Sequence, residues 1–314
     1  MKMTTELELL EQRPKFANAL LSRYYPFTID EMETFKEKIN WQLLSSNRKI
    51  EFTEDILDKF IDDLDWDILS YQPNLPWSAD FIAKYEERWN VFTLCENEAI
   101  KWSVDLLKVY EKGLNWTLLS THNKLDWSEE FISTFINNWD FVSLSANESL
   151  PWTEDFMEKF SDKWDWETLA TNKALPWDMN LLEKNLDKWS WMSLCSNESL
   201  PWKEVWEKYG NELDVWFGSG NDGWDWNDDF LAKNVNEINF EVLSVMKKFD
   251  WSEERIDRYS EHWLWGNHGM SANTQLPWSM DFIAKYKDRW DFFADFGLAG
   301  NSALPWSVEL IQQY

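Results

Sequence analysis

The chain has 314 residues, enough for two ordinary domains or for one long repeat array. Apolar residues make up 44% of it, which excludes a disordered chain, and 25 tryptophans are far above ordinary usage. A formal charge of -27 repels phosphate, so it disfavours direct nucleic-acid binding and an anionic membrane and favours a basic protein partner. The alternative is that the acidic residues only keep a Trp-rich surface in solution.

The N-terminus, MKMTTELELLEQRP, lacks the apolar stretch of a signal peptide. No apolar run approaches the roughly 18 residues that a membrane helix needs. Two cysteines, Cys95 and Cys195, provide no disulfide framework. We therefore expect a cytoplasmic protein without a membrane-spanning segment.

Residues 1–25 match the rest of the chain poorly, and we expect them to form an N-terminal helical cap. The side chains predicted to cover the first repeat are Leu9, Leu10, Phe16, Leu20, Leu21 and Tyr24.

From residue 26 the chain repeats itself, with an aromatic anchor at a fixed step of 25 residues up to residue 202. The anchors of this regular region, 26–201, and the first anchor after it are Phe27, Phe52, Trp77, Trp102, Trp127, Trp152, Trp177 and Trp202. Over 202–314 the steps become irregular, at 24, 25, 27 and 28 residues, with anchors at Trp226, Trp251, Trp278 and Trp306. We expect about eleven repeats in one continuous array.

Each repeat begins with the signals of a helix N-terminus. Proline often precedes the anchor and Ser or Thr usually follows it, as in Pro76 and Ser78, and an acidic residue such as Asp80 stands two residues later. The hydroxyl caps the first backbone N–H groups, and the acid favours the positive end of the helix dipole. The apolar residues that follow have helical spacing, which predicts a first helix with one buried face.

A second cap and a short helix complete the repeat. Asn, Asp or Ser at positions such as Asn90, Asp140 and Ser190 precedes a segment of the form W-x-x-L-S-x-N, predicted to form about two helical turns. Its Asn, five residues before the next anchor, predicts a turn. Cys95 and Cys195 occupy the small-residue position of this segment, where they are expected to pack in the core.

The predicted fold is therefore an all-α, right-handed type of α-helical solenoid built from helix–turn–short-helix repeats. A leucine-rich-repeat-like solenoid is the alternative, although the alternating L-x-L of its strand is missing. The tryptophans are expected to form one buried seam, because 25 residues leave little room for an aliphatic core. A second alternative is an exposed aromatic platform for sugars or bases.

The repeat LPWS-x-D-F-I-x-K-Y, present at Leu75–Tyr85 and Leu276–Tyr286, resembles Trp-rich repeat arrays of about 25 residues found in bacterial proteins. The resemblance covers nearly the whole chain from Phe27 and is tightest from Leu75 to Trp202. It implies a repeat architecture and carries no activity or binding residues with it.

The irregular region contains the weak candidates for chemistry. Eight of the nine glycines lie at or after Gly210, and the loop GSGNDG over 218–223 spells G-x-G-x-x-G without the strand and helix that a dinucleotide site needs. One turn of a calcium-binding nonapeptide repeat is a similarly weak match. The candidate metal ligands are Asp222, Asp225, His262 and His268. None forms a convincing set, so we expect no cofactor and no metal, and the loops are interpreted either as a binding face or as repeat decay.

The sequence favours a non-enzymatic, acidic scaffold or adaptor that binds a protein, for example a toxin-immunity protein or a component of a bacterial defence complex. The alternative is a ligand- or metal-binding protein that uses the Gly- and Asp-rich loops. The candidate partner-binding residues are Glu86, Glu87, Asn221, Asp222, Asn267 and His268.

Overall fold

The structure is a computed structural model that describes residues 14–292 and 296–314, with side chains from residue 17. The chain divides into two compact units, Met1–Pro151 and Trp152–Tyr314. This division lies within the regular repeats, before the spacing becomes irregular. None of the described helices is long and apolar enough to cross a membrane.

The N-terminal unit contains eleven described α-helices and one short 3-10 helix, Lys36–Lys38. After helix α1, Pro14–Tyr24, first and second helices alternate. They are α2 Ile29–Thr34, α3 Trp41–Ser45, α4 Glu54–Lys59, α5 Trp66–Leu69, α6 Ala79–Lys84, α7 Val91–Cys95, α8 Val104–Tyr110, α9 Trp116–Ser120, α10 Glu129–Thr134 and α11 Phe141–Ala146.

The C-terminal unit continues the alternation and also contains two 3-10 helices, Met270–Ala272 and Leu298–Gly300. Its α-helices are α12 Glu154–Lys159, α13 Trp166–Thr171, α14 Met179–Lys184, α15 Trp191–Cys195, α16 Trp202–Tyr209, α17 Val215–Gly218, α18 Asp228–Asn234, α19 Phe240–Leu243, α20 Glu253–Arg258, α21 Met280–Lys285 and α22 Val308–Gln313.

Each unit is thus an all-α array of stacked repeats, as predicted. The described residues contain no strand, so the leucine-rich-repeat-like alternative is wrong for them.

The predicted caps are confirmed at both helices of the repeat. In the repeat of Trp77, the Ser78 hydroxyl accepts the N–H of Phe81 at 3.1 Å and begins the first helix. The side chain of Asn90 accepts the N–H of Thr93 at 3.2 Å and begins the second helix. The second helices are shorter than predicted, with four to six residues. In the last repeats the 3-10 helices Met270–Ala272 and Leu298–Gly300 replace them.

Tryptophan rings join several of the repeats to the one before them. The buried ring of Trp89 packs against the anchor of its own repeat, Trp77, with ring centroids 5.1 Å apart. It also meets Trp66 of the preceding second helix edge-on at 4.8 Å. The same trio recurs at Trp116, Trp127 and Trp139. Aromatic rings therefore connect neighbouring repeats at Trp66 and Trp89 and again at Trp116 and Trp139.

The indole N–H groups explain why tryptophan is used instead of phenylalanine. Trp77 donates to the main-chain oxygen of Gln72 at 2.8 Å, five residues earlier, and Trp89 donates to that of Ile82 at 3.0 Å, seven residues earlier. Each ring therefore fills the core and satisfies an orphan carbonyl at a helix end or turn.

Burial of the anchor column agrees with the predicted seam in most repeats. Eight of the twelve anchors are buried, and Trp77, Trp177 and Trp278 are partly buried. Trp306 departs from the prediction because 49% of its surface is exposed. Its ring borders an open apolar cavity lined by Ile283, Leu298 and Leu310.

Helix α1 is the second helix of a degenerate repeat. Ser22 is buried and accepts the N–H of Asn40 at 2.9 Å, a role that Ser45 plays in the next repeat. Leu21 is buried as expected, whereas Leu20 and Tyr24 are exposed, so the prediction that they cover the first repeat is wrong. The reason is the helix register, which points Leu21 and Ser22 inward. Leu9 and Leu10 and the side chain of Phe16 lie outside the described residues.

In the irregular region, a glycine and a tryptophan occupy two positions that are usually Leu in other repeats. Other repeats have Leu before the small-residue position, as at Leu194, and Leu two residues before the anchor, as at Leu200. Here these positions are Gly218 and Trp224, and a Cβ on Gly218 would lie 1.8 Å from the ring of Trp224. Trp224 therefore fills the space that Gly218 leaves, which gives the GSGNDG loop a packing role.

Candidate protein-binding surface

An asparagine ladder connects the turns of successive repeats. Asn97 is buried, and its Nδ2 donates to the main-chain oxygens of Ser70 at 2.9 Å and Gln72 at 3.4 Å, both in the preceding repeat. Its Oδ1 accepts the N–H of Ala99 at 3.0 Å, which is the turn that the sequence predicted. Equivalent bonds to the preceding repeat are made by Asn47, Asn147, Asn197, Asn221, Asn273 and Asn301.

The small-residue position holds a second series of bonds between repeats. The Ser70 hydroxyl donates to the oxygen of Trp66 at 2.7 Å and accepts the N–H of Asn90, in the next repeat, at 2.9 Å. Cys95 takes the same place, and its Sγ accepts the N–H of Asn115 at 3.4 Å. Burial raises the pKa of Cys95 and of Cys195 to about 11, so both are protonated thiols in the core, as predicted.

Most basic residues of the first helices bind acidic residues of the preceding repeat. Lys84 Nζ lies 2.7 Å from Glu54 and 2.9 Å from Asp58, and the Tyr85 hydroxyl donates to Asp58 at 2.8 Å. These two donors, Lys84 first, hold the pKa of Asp58 below its usual value. The same pairing joins Lys59 to Glu33, Lys184 to Glu158, Lys208 to Glu183, Arg255 to Asp228 and Lys285 to Asp257.

The second helices form a face without basic residues, in contrast to the first helices. None of the nine second helices, α3 through α19 in alternation, contains Lys or Arg. The residue three positions before the small-residue position is exposed in all nine, and its identity changes from repeat to repeat. We call these residues the outer column: Gln42, Asp67, Phe92, Thr117, Val142, Glu167, Met192, Trp216 and Glu241.

Exposed apolar side chains on this face include Phe92 and Val142 in the N-terminal unit and, in the C-terminal unit, residues of three consecutive second helices. We define an apolar patch there by five side chains on or next to α15, α17 and α19, whose exposed fractions are Met192 45%, Trp216 55%, Phe217 55%, Val242 40% and Val245 42%. A Cβ on Gly220 would lie 3.0 Å from Val242, so the turn after α17 lies against α19. Monomeric proteins seldom expose grouped aromatic and aliphatic side chains without a use for them.

The predicted partner-binding residues Glu86 and Glu87 lie elsewhere, in the turn that follows first helix α6. Both are exposed, and neither makes an ion pair within the described part of the chain. They remain available to solvent but do not belong to the second-helix face.

The Gly- and Asp-rich loop is mostly structural. Asn221, one of the predicted partner-binding residues, is a buried ladder residue bound to the oxygen of Cys195 at 2.7 Å, so its side chain is used inside the array. Asp222 is ion-paired with Lys248 at 3.2 Å, and Asp225 accepts a bond from Asn227 at 2.8 Å.

The two candidate histidines are held by separate aromatic rings. His262 stacks on Phe240 at 4.9 Å and His268 stacks on Phe296 at 4.5 Å. His268 has a φ of 60°, unusual for a residue with a side chain, and Asn267 beside it is exposed. Across the described residues no three His, Cys, Asp or Glu side chains come close enough to hold a metal ion.

The second-helix face was not among the features predicted from the sequence, which were loops, histidines and acidic residues. In the sequence this face is visible only as a column whose residue type varies. Such a column stands two residues before a Leu in eight of the nine second helices, and varied identity at a fixed exposed position is the signal that could have located it.

No protein-family model, curated protein or solved structure matches this chain.

Proposed function

We propose that this protein is a non-enzymatic, protein-binding repeat scaffold whose second-helix face recognises a basic segment of its partner. The observation that carries the proposal is the separation of charge between the two kinds of helix. Most cations of the first helices are bound to neighbouring carboxylates, while the nine second helices from α3 to α19 expose acidic and apolar side chains without a cation among them.

The outer column has the composition of a recognition surface. Residues that build the fold recur in nearly every repeat, such as Leu94 and Leu119, because the repeats pack in the same way. Outer-column residues vary from acidic to aromatic and aliphatic, and each repeat therefore presents a different contact. A partner with complementary charge gains specificity and a faster association rate from such a surface.

The buried polar side chains support a non-enzymatic role, because they bind main-chain groups of the array. The buried Ser and Asn side chains, such as Ser70 and Asn97, bind main-chain groups of neighbouring repeats. The buried thiols of Cys95 and Cys195 have pKa values of about 11 and are poor nucleophiles at neutral pH. These groups serve the array itself.

Charge reversal on the two faces tests the proposal. The full chain, affinity-tagged in its native host, is compared with D67K/E167K on the second helices and with E86K/E87K in the turn after α6. We expect wild type and E86K/E87K to capture the same partner protein and D67K/E167K to lose it. The Kd of the purified partner for the wild-type chain should depend on salt concentration. Equal binding to all three chains, or loss only with E86K/E87K, would overturn the assignment of the face.

A further inference from the structure

The apolar patch of the C-terminal unit is flanked by carboxylates that have no ionic partner. Glu167 and Glu241 stand in the outer column on either side of Met192 and Trp216, and Asp214 caps α17 beside Trp216. Within the described residues none of the three makes an ion pair. The order along the column is therefore acidic, apolar, apolar, acidic.

The dimensions of the face fit one helix. A second helix of four to six residues is about 6–9 Å long at about 1.5 Å per residue, so the stacked second helices form a narrow strip. A strip of this width matches the roughly 10 Å diameter of an α-helix with its side chains. At about 10 Å per repeat, Glu167 and Glu241 are three steps, or about 30 Å, apart, the length of a helix of about 20 residues.

We infer that the patch of Met192, Trp216, Phe217, Val242 and Val245 binds a cationic amphipathic helix of the partner, an inference that rests on the proposed function. The apolar residues in the middle of that helix pack on Trp216 and Phe217. Its Lys or Arg residues, near both ends, pair with Glu167 and Glu241. Recognition of this kind places apolar residues of the partner at positions i, i+4 and i+7 of one helix face.

Trp216 and Phe217 are the expected anchors of the interaction. Each ring has more than half of its surface exposed, so the two together leave on the order of 200 Å² of apolar surface in water. Neither exposed ring is needed to hold the repeat together, because the core of α17 is made by Val215 and by Trp224 against Gly218. The packing of the fold therefore does not explain why these two aromatic side chains are present.

The probes are three synthetic 20-residue helical peptides titrated by calorimetry into the full chain. The first has a Leu-rich central face with Lys near both ends, the second replaces every Lys with Glu, and the third scrambles the first. We expect micromolar binding of the first peptide alone, reduced at least tenfold by W216A and by E167K/E241K. Y71A, which removes a similarly exposed ring from the N-terminal unit, is the matched control and should bind as wild type.

Further measurements distinguish a loss of peptide binding from a loss of folding. Circular dichroism melting should show W216A within a few degrees of wild type, since Trp216 is exposed. Peptide binding that is equal for Lys and Glu peptides, unchanged in W216A, or absent from wild type would overturn the inference. Loss of native-partner binding in D67K but not in W216A would also overturn it, while leaving the scaffold function intact. Concentration-dependent dimerisation abolished by W216A would assign the patch to a second copy of the chain and likewise overturn it.

Discussion

The side-chain amide of Asn97 donates a hydrogen bond of 2.9 Å to the main-chain oxygen of Ser70, 27 residues earlier in the chain. Both groups are buried, and the same amide reaches a second carbonyl of the preceding repeat at 3.4 Å. One side chain therefore closes a turn in its own repeat and fixes the position of its neighbour.

Replacing Asn97 with Ala should destabilise the protein by about 2–4 kcal/mol, because main-chain groups at Ser70 and Ala99 lose their partner and the Gln72 oxygen keeps only Trp77. Urea unfolding followed by circular dichroism measures the effect. Asn137→Ala is the control, since Asn137 is exposed and makes no hydrogen bond within the described residues. Similar midpoints for the two variants would contradict the structural role of the ladder.

The buried seam predicts unequal costs for two substitutions in one repeat. Trp164 packs 5.1 Å from Trp152 and donates to the oxygen of Met157 at 3.0 Å, so Trp164→Ala should cost about 3–5 kcal/mol. Glu158 is exposed and pairs with Lys184, and Glu158→Ala should leave the unfolding midpoint almost unchanged. Equal melting shifts would refute the assignment of inside and outside.

How far the sequence predicts this fold depends on the range of each interaction. The caps Ser78 and Asn90 were predictable because a cap acts on N–H groups two or three residues away. Asn97 was recognised only as a turn residue, because its bonds to Ser70 and Gln72 cross to another repeat and leave no local signal. The second-helix face was missed for a related reason. Exposure of Trp216 follows from the packing of neighbouring repeats, whereas the excess of tryptophan in the chain suggested a core position.

His122 occupies a ladder position normally held by Asn, and the substitution His122→Asn should stabilise the protein by about 1 kcal/mol. The Nδ1 of His122 accepts the N–H of Lys124 at 3.1 Å, but its buried Nε2 has no partner among the described residues. An Asn side chain can donate to the preceding repeat as Asn97 does. A lower urea midpoint for His122→Asn would show that the imidazole is the better side chain here.

The same histidine predicts a pH dependence. Burial lowers the pKa of His122, because the charged imidazolium is disfavoured in the folded protein. Its contribution to stability is fully present above the unfolded-state pKa of about 6.5 and is lost as the pH falls through the folded-state pKa. The advantage of His122→Asn over wild type should therefore increase between pH 7.5 and pH 5 in urea unfolding, and a constant difference would exclude this cause.

Because Trp224 fills the space beside Gly218, substitutions at these two positions should compensate each other. Gly218→Leu alone should cost several kcal/mol, because even its Cβ would overlap the ring of Trp224. Gly218→Leu combined with Trp224→Leu restores the residues of the regular repeats and should recover most of the loss. Gly113→Ala is the control, as its nearest neighbour is 3.8 Å from the added carbon. If the losses in unfolding free energy of the two single variants simply add in the double variant, Trp224 does not fill the space left by Gly218.

The bonds between repeats have a direction along the chain. Ladder amides such as Asn97, and first-helix cations such as Lys84, reach back to residues about one repeat earlier. On a ribosome that adds about 5–20 residues per second, a repeat of 25 residues takes seconds to appear, whereas short helices form within microseconds. Each emerging segment therefore meets acceptors that were translated before it, and it can dock without waiting for sequence that has yet to be made.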